Sequence, residues 1–226
     1  MVKEASKASS ASSTSTSATS LETSHQISIV DGNKTGKTLR VNYDGSEFYI
    51  PKTKIGLFEY EKYVTEKGIS QNDYLHVDCD VLSQNYAVDL MRGTYTPRSI
   101  FGTRAAAPAP RINKQVRSQN INDVLAYIYN EINNGRPTAL QVTQRRSNEG
   151  LRHFVTVVGY DASVKSYTEL TPDKILVLDC VDGKVQRLSD RNRSLFNQAQ
   201  NGYYALGATD VFLAKEVYKT EQKDNT

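Results

Sequence analysis

The order of apolar and polar positions divides the chain into stretches of two different periods. Positions 26–30 alternate and are β-branched, and Asp31-Gly32-Asn33 is a turn signal. Positions 38–43 and 47–50 predict two further strands, and the Asp44-Gly45 pair between them suits a tight hairpin. The period then lengthens. Ile55, Phe58 and Tyr63 predict a short amphipathic helix over 55–67, stopped by Gly68. A second helix is predicted over 80–92, with Leu82, Tyr86 and Leu90 on one stripe and Gly93 behind it. Positions 95–110 hold three of the six prolines and an alanine run, and so read as an irregular loop. Asn122 reads as the N-cap of a helix over 123–133, in which Val124, Ile128 and Ile132 recur at helical spacing. Gly135 and Pro137 close that helix.

Beyond Pro137 the pattern is that of strands: 138–143, 153–160, 175–178, 185–188 and 203–208 are apolar or alternating. The chain thus opens on strands, passes through helices and ends in what reads as an antiparallel sheet. Segregated helices and strands predict an α+β fold rather than an alternating α/β one.

Composition changes the picture at the N-terminus. Positions 1–24 contain nine Ser and four Thr and no aromatic residue, so they have little to bury against the entropy of ordering. They predict a disordered leader, with the folded domain running over 25–226. The leader lacks the apolar core of a secretory signal peptide. Its composition fits either a solubilising tail or an unfolded leader for an apparatus that exports effector proteins.

Charge and hydropathy exclude several classes. Mean hydropathy is −0.54, and no stretch approaches the roughly 18–20 apolar residues that span a bilayer. The formal net charge of +3 is too small to argue for nucleic acid. Arg145-Arg146 and the Lys184/Arg187/Arg191/Arg193 group read as solvated faces. With two cysteines in 226 residues, at most one disulfide is available.

Several motifs fail on inspection. DGNKTGKT at 31–38 has Asp31 at the position where a phosphate loop needs its first glycine, the Gly being at 32 instead, and it leads into a strand rather than a helix. The sequons at Asn33 and Asn192 matter only on a eukaryotic secretory route. His76 and Cys79 have a metal-like spacing, but the remaining supply of His and Cys is thin for zinc. No cofactor is expected.

One constellation survives. Cys79 lies at the start of the second helix, where the positive end of the dipole favours a thiolate. Asp78 and Asp80 flank it and act in the opposite sense. His153 opens the strand HFVTVVGYD, and Asp179 closes the short strand after 175–178. Two antiparallel strands, one begun by His and the other ended by Asp, place both side chains at the same end of the sheet. A base, an orienting carboxylate and a thiol need that arrangement. Cys180, next to Asp179, reads as core.

These segments resemble the papain-like cysteine peptidases, particularly their compact bacterial branches, the C39-like peptidases and the effector proteases of plant pathogens. The likeness lies in CDVLSQNYAVDLM from Cys79, in Gly135-Arg136-Pro137 before a strand, in RHFVTVVGYD around His153 and in ILVLD ending at Asp179. It covers about residues 73–207. It implies a papain-like fold, with N-terminal helices packed on a C-terminal antiparallel sheet, and thiol-dependent hydrolysis of amide bonds in a protein or peptide substrate. Cys79 would be the nucleophile, His153 the base and Asp179 the orienter.

The sequence departs from the family at two places. Asp80 and Val81 follow the cysteine where Gly-Pro or Trp is frequent, and Asp73 stands where a glutamine completes the oxyanion hole. Gln71 and Asn72 are the nearby amides that would substitute. The expectation is a secreted protease acting in a host cytosol. A deamidase or acyltransferase using the same triad, and a non-catalytic binding module on the same scaffold, are the alternatives.

Overall fold

The computed structural model describes residues 27–30, 35–73, 77–101, 114–117, 121–144, 151–190 and 213–219. Its elements in chain order are β1 (Ile27–Val30), β2 (Thr38–Tyr43), β3 (Ser46–Pro51), α1 (Leu57–Glu66), α2 (Cys79–Arg92), α3 (Arg98–Phe101), β4 (Lys114–Arg117), α4 (Ile121–Asn133), β5 (Thr138–Gln144), β6 (Leu151–Asp161), β7 (Ile175–Asp179), β8 (Val185–Arg187) and β9 (Leu213–Lys219). The fold is α+β, as the segregation of periods predicted. The leader at 1–24, the strand expected at 203–208, His76, Arg145-Arg146 and both sequon asparagines lie outside the described residues.

All strands described join one antiparallel sheet, in the order β1-β2-β3-β6-β5-β9-β4, with β7 pairing β6 and β8. The N-terminal strands therefore belong to the same sheet as the C-terminal ones. The hairpin between β2 and β3 turns as the sequence suggested, with Asp44 at φ 47° and Gly45 at φ 77°, the two positive values of a type I′ turn.

β6 is the organising strand. Val155 and Val157 pair with Leu140 and Thr138 of β5 and with Asp179 and Val177 of β7, so those two neighbours flank it on opposite edges. Tyr160 pairs with both Tyr49 of β3 and Ile175 of β7, so β3 continues the edge that β5 occupies. A bulge at Val157/Gly159 switches the register against β7 midway. Gly159 is required at that crossing, because a Cβ would lie 2.7 Å from the Tyr49 carbonyl oxygen and 2.9 Å from Ile50 Cγ2.

Helices cover both faces. On one, Val124, Leu125, Ile128 and Ile132 of α4 pack on Leu140, Val155, Val157, Ile175 and Val177. On the other, Tyr60, Val64, Leu82, Tyr86 and Leu90 of α1 and α2 pack on Phe48, Ile50, Val158, Leu176 and Leu178. The stripes expected for α2 and α4 are buried as the spacing indicated. The stripe expected for α1 is shifted: Leu57, Tyr60 and Val64 face the core, while Phe58 and Tyr63 pack at its margin.

Three local expectations need correction. Helix α4 begins at Ile121, so Asn122 is its second residue and not its cap. The segment expected to be irregular contains the short helix α3, and its residues 102–110 lie outside the description. Strands β4 and β9 were not foreseen. β9 pairs with β5 on the edge opposite β6, and β4 pairs with β9.

Candidate active site

Cys79 is the first residue of α2. Asp78 occupies the N-cap in extended conformation without a side-chain cap. Val77 and Leu82, on either side of the helix start, are both buried in the same core, a hydrophobic staple that fixes how the chain enters the helix. Its depth is fixed from β6, where the Thr156 hydroxyl donates to the Ser83 carbonyl at 2.7 Å. At the far end, Gly93 closes the helix at φ 73°. Beside it the buried Asp89 carboxylate accepts from the hydroxyls of Tyr60, Thr94 and Thr96 and from the Thr96 amide, at 2.6–2.9 Å.

The second and third members come from the sheet. Asp179 lies opposite Val155, and His153 is two residues farther along β6. Two residues along a strand is the same face, so His153 and Asp179 are diagonal neighbours, within reach for long side chains. His153 Nε2 is 3.1 Å from Asp179 Oδ1. The same carboxylate oxygen accepts from the Val181 amide at 2.9 Å. The aspartate is fully buried, and the imidazole is 13% exposed. A carboxylate only accepts, so the hydrogen sits on Nε2 and Nδ1 is the nitrogen left to face the thiol.

The thiol and the imidazole are in contact: a hydrogen bond and the charge of His153 both lower the Cys79 pKa. The largest lowering comes from a hydrogen bond to Cys180, while burial opposes it, and the Phe154 backbone amide contributes a further bond. The net result brings the thiol from 9.0 to about 5. The flanking aspartates do not prevent this. Asp80 turns its carboxylate onto the Val81 amide at 2.8 Å, and its own pKa is raised, chiefly by burial.

The structure thus brings Cys79, His153 and Asp179 together. It also brings in Cys180, which the sequence reading assigned to the core. Cys180 is fully buried, and its thiol points at the Phe154 carbonyl at 3.2 Å and the Gln71 amide oxygen at 3.8 Å. Its pKa is raised, first by burial and then by the bond to Cys79, so it stays a thiol and donates. The alternation of β7 was the available signal: Cys180 follows Asp179 and so emerges on the opposite side of the strand end, toward α2.

The two amides proposed as oxyanion donors separate. Gln71 lies in the site, with its side-chain NH2 donating to the Val77 carbonyl at 3.0 Å and its backbone tied to Cys180. One of its two amide hydrogens thus remains for another acceptor. Asn72 is exposed, held through its backbone to Val181. The Asp73 carboxylate accepts from the Ser70 hydroxyl at 2.5 Å.

A ring nitrogen of His153, a carboxylate oxygen of Asp179 and the sulfur of Cys180 lie within 4.8 Å of one another, donor types that zinc accepts. The hydrogen bond between His153 and Asp179 accounts for that convergence without an ion. Among the described residues no helix is long and apolar enough to cross a membrane. No protein-family profile, curated protein or solved structure matches the chain.

Proposed function

We propose that the chain is a papain-like cysteine peptidase with Cys79 as nucleophile, His153 as general base and acid, and Asp179 as the positioning carboxylate. The observation that carries this reading is the His153 ring held between the buried Asp179 and a helix-N-terminal thiol of lowered pKa. A thiolate already formed needs no separate activation. It attacks the scissile carbonyl, the carbon–sulfur bond forms, and the carbonyl electrons move onto oxygen. Collapse expels the amine, which takes its proton from the imidazolium. Water then enters the acyl-enzyme with the neutral imidazole as base, and the thiolate leaves.

The oxyanion needs donors aimed at it. The first backbone N–H groups of α2 have no partner within the helix, and the spare hydrogen of the Gln71 amide is the second candidate. The substrate class is a protein or peptide, and the Ser/Thr-rich leader supports export as an effector. Deamidation or acyl transfer differs only in the acceptor of the acyl group or the leaving amine.

The decisive experiment incubates the reduced full chain with a peptide library and with cell lysate, beside Cys79→Ala. Cleavage by the parent and none by Cys79→Ala supports the reading. Equal, slow alkylation of Cys79 and Cys180 near neutral pH, with no cleavage, overturns it in favour of a binding module.

A further inference from the structure

Both sulfurs of the chain meet at one residue of β6. The Phe154 amide donates to Cys79 and the Phe154 carbonyl accepts from Cys180. In an extended strand the N–H and C=O of one residue point to the same edge. The two sulfurs are therefore side by side along that edge, where β7 has ended at Asp179. Cys79 packs against the cluster that holds Cys180, and Gln71 links their surroundings, its amide oxygen 3.8 Å from the Cys180 sulfur and its NH2 on the carbonyl of Val77, two residues before Cys79, although nearly half the chain separates the two cysteines in sequence. Solvent reaches them unequally: Cys79 is partly exposed, and Cys180 is not exposed at all.

We infer that Cys79 and Cys180 form a reversible disulfide on exposure to a peroxide, a modification that closes the site by consuming its nucleophile. This rests on the reading of Cys79 as the nucleophile, and it names how that nucleophile is regulated. In the first step the Cys79 thiolate attacks one peroxide oxygen. The O–O bond breaks, the other oxygen leaves as alcohol or water, and Cys79 becomes a sulfenic acid, oxidised by two electrons. In the second step the Cys180 sulfur attacks the sulfenic sulfur. The S–S bond forms and the S–O bond breaks, with hydroxide leaving. The Cys180 proton joins it to make water, and His153, in contact with Cys79, is placed to relay it. An external dithiol reverses the lock by exchange, giving two thiols and its own disulfide.

The arrangement assigns the two sulfurs separate tasks. The accessible thiolate meets the oxidant, and the buried thiol resolves the product before a second peroxide arrives. Cys180 thereby protects Cys79 from the irreversible sulfinic state. A protein exported through an oxidising space would arrive locked and open in a reducing one.

The test uses the full chain, reduced and then treated with hydrogen peroxide. Non-reducing peptide mapping is expected to give a Cys79–Cys180 cross-linked pair within one chain. Iodoacetamide labelling of Cys79 is lost and returns on dithiothreitol. In Cys180→Ser the same treatment drives Cys79 to sulfinic acid, and dithiothreitol no longer restores labelling. A sulfinic Cys79 in the parent chain with Cys180 still a free thiol overturns the inference, as does a disulfide formed only between chains. If Cys180→Ser fails to fold, the mapping of the parent chain decides alone. Failure of the lock is distinguishable from failure of the protease reading. A cross-linked pair in a protein whose reduced form cleaves nothing retains the dithiol chemistry and removes the protease. Cleavage by the reduced form without a cross-link does the reverse.

Discussion

His153 and Asp179 meet across a diagonal of two antiparallel strands, Nε2 to Oδ1 at 3.1 Å, with the carboxylate fully buried at the end of β7. The Val181 amide holds the same oxygen, so the carboxylate is fixed before the imidazole is. This makes Asp179 an orienter of the ring under the proposed mechanism rather than a participant in proton transfer.

Asp179→Asn tests that role. The amide keeps an oxygen for Val181 but removes the charge that holds the hydrogen on Nε2. Peptide hydrolysis is expected to fall in kcat by about 100- to 10,000-fold, the usual span of acid–base contributions, with KM little changed. Steady-state kinetics with a fluorogenic peptide, next to circular dichroism showing an intact fold, reads it. An unchanged kcat would remove Asp179 from the site.

The lowered thiol pKa sets a pH profile. A group shifted down to about 5 is ionised at every higher pH, so alkylation of Cys79 should rise as pH increases through about 5 and be level by neutrality. Cys180, whose pKa is raised, should stay unlabelled until the protein is denatured. His153 lowers the Cys79 value, so His153→Ala should move the midpoint upward. Iodoacetamide rates across pH, resolved by peptide mass spectrometry, measure both. A midpoint in the parent chain near that of a free thiol would contradict the contact.

Much of this site was legible because it depends on spacing and alternation. Leu82, Tyr86 and Leu90 gave the inward face of α2, and the alternation of HFVTVVGYD gave β6. The pairing of a strand that His begins with one that Asp ends gave their shared end. Cys180 was not legible as a partner of Cys79, because contact between residues so far apart depends on where α2 docks against the edge of β6. Burial and adjacency to Asp179 were already sufficient to explain it. The shifted face of α1 has a similar cause. Phe58 and Tyr63 are apolar enough to mark a stripe, yet Tyr60 pairs with Asp89, a long-range bond that rotates Leu57, Tyr60 and Val64 inward. β4 and β9 are charged strands, with Lys, Arg and Glu among four to seven residues, so their period was masked.

Asp89 carries an expectation about stability. It is 2% exposed and accepts from Tyr60, Thr94 and Thr96. Asp89→Ala leaves those donors without an acceptor in a buried place. Loss of one bond to a charged group costs about 1.5–3 kcal/mol, and the stranded donors add to it. A destabilisation of at least about 3 kcal/mol is expected from urea unfolding, scaled by that range. A loss below about 1 kcal/mol would mean water replaces the carboxylate.

Gln71 separates transition-state stabilisation from binding. Its NH2 donates to Val77, and the second hydrogen is the proposed donor to the oxyanion. Gln71→Ala should lower kcat by about 100-fold or somewhat more, the range found when one such donor is removed. Because the donor acts on charge that develops only during attack, KM should barely move. The Cys79 alkylation rate provides the control, since alkylation of a thiolate builds no oxyanion. A kcat lowered together with an equally slowed alkylation would assign Gln71 to holding the thiol, and an unchanged kcat would leave the backbone N–H groups of α2 as the whole oxyanion hole.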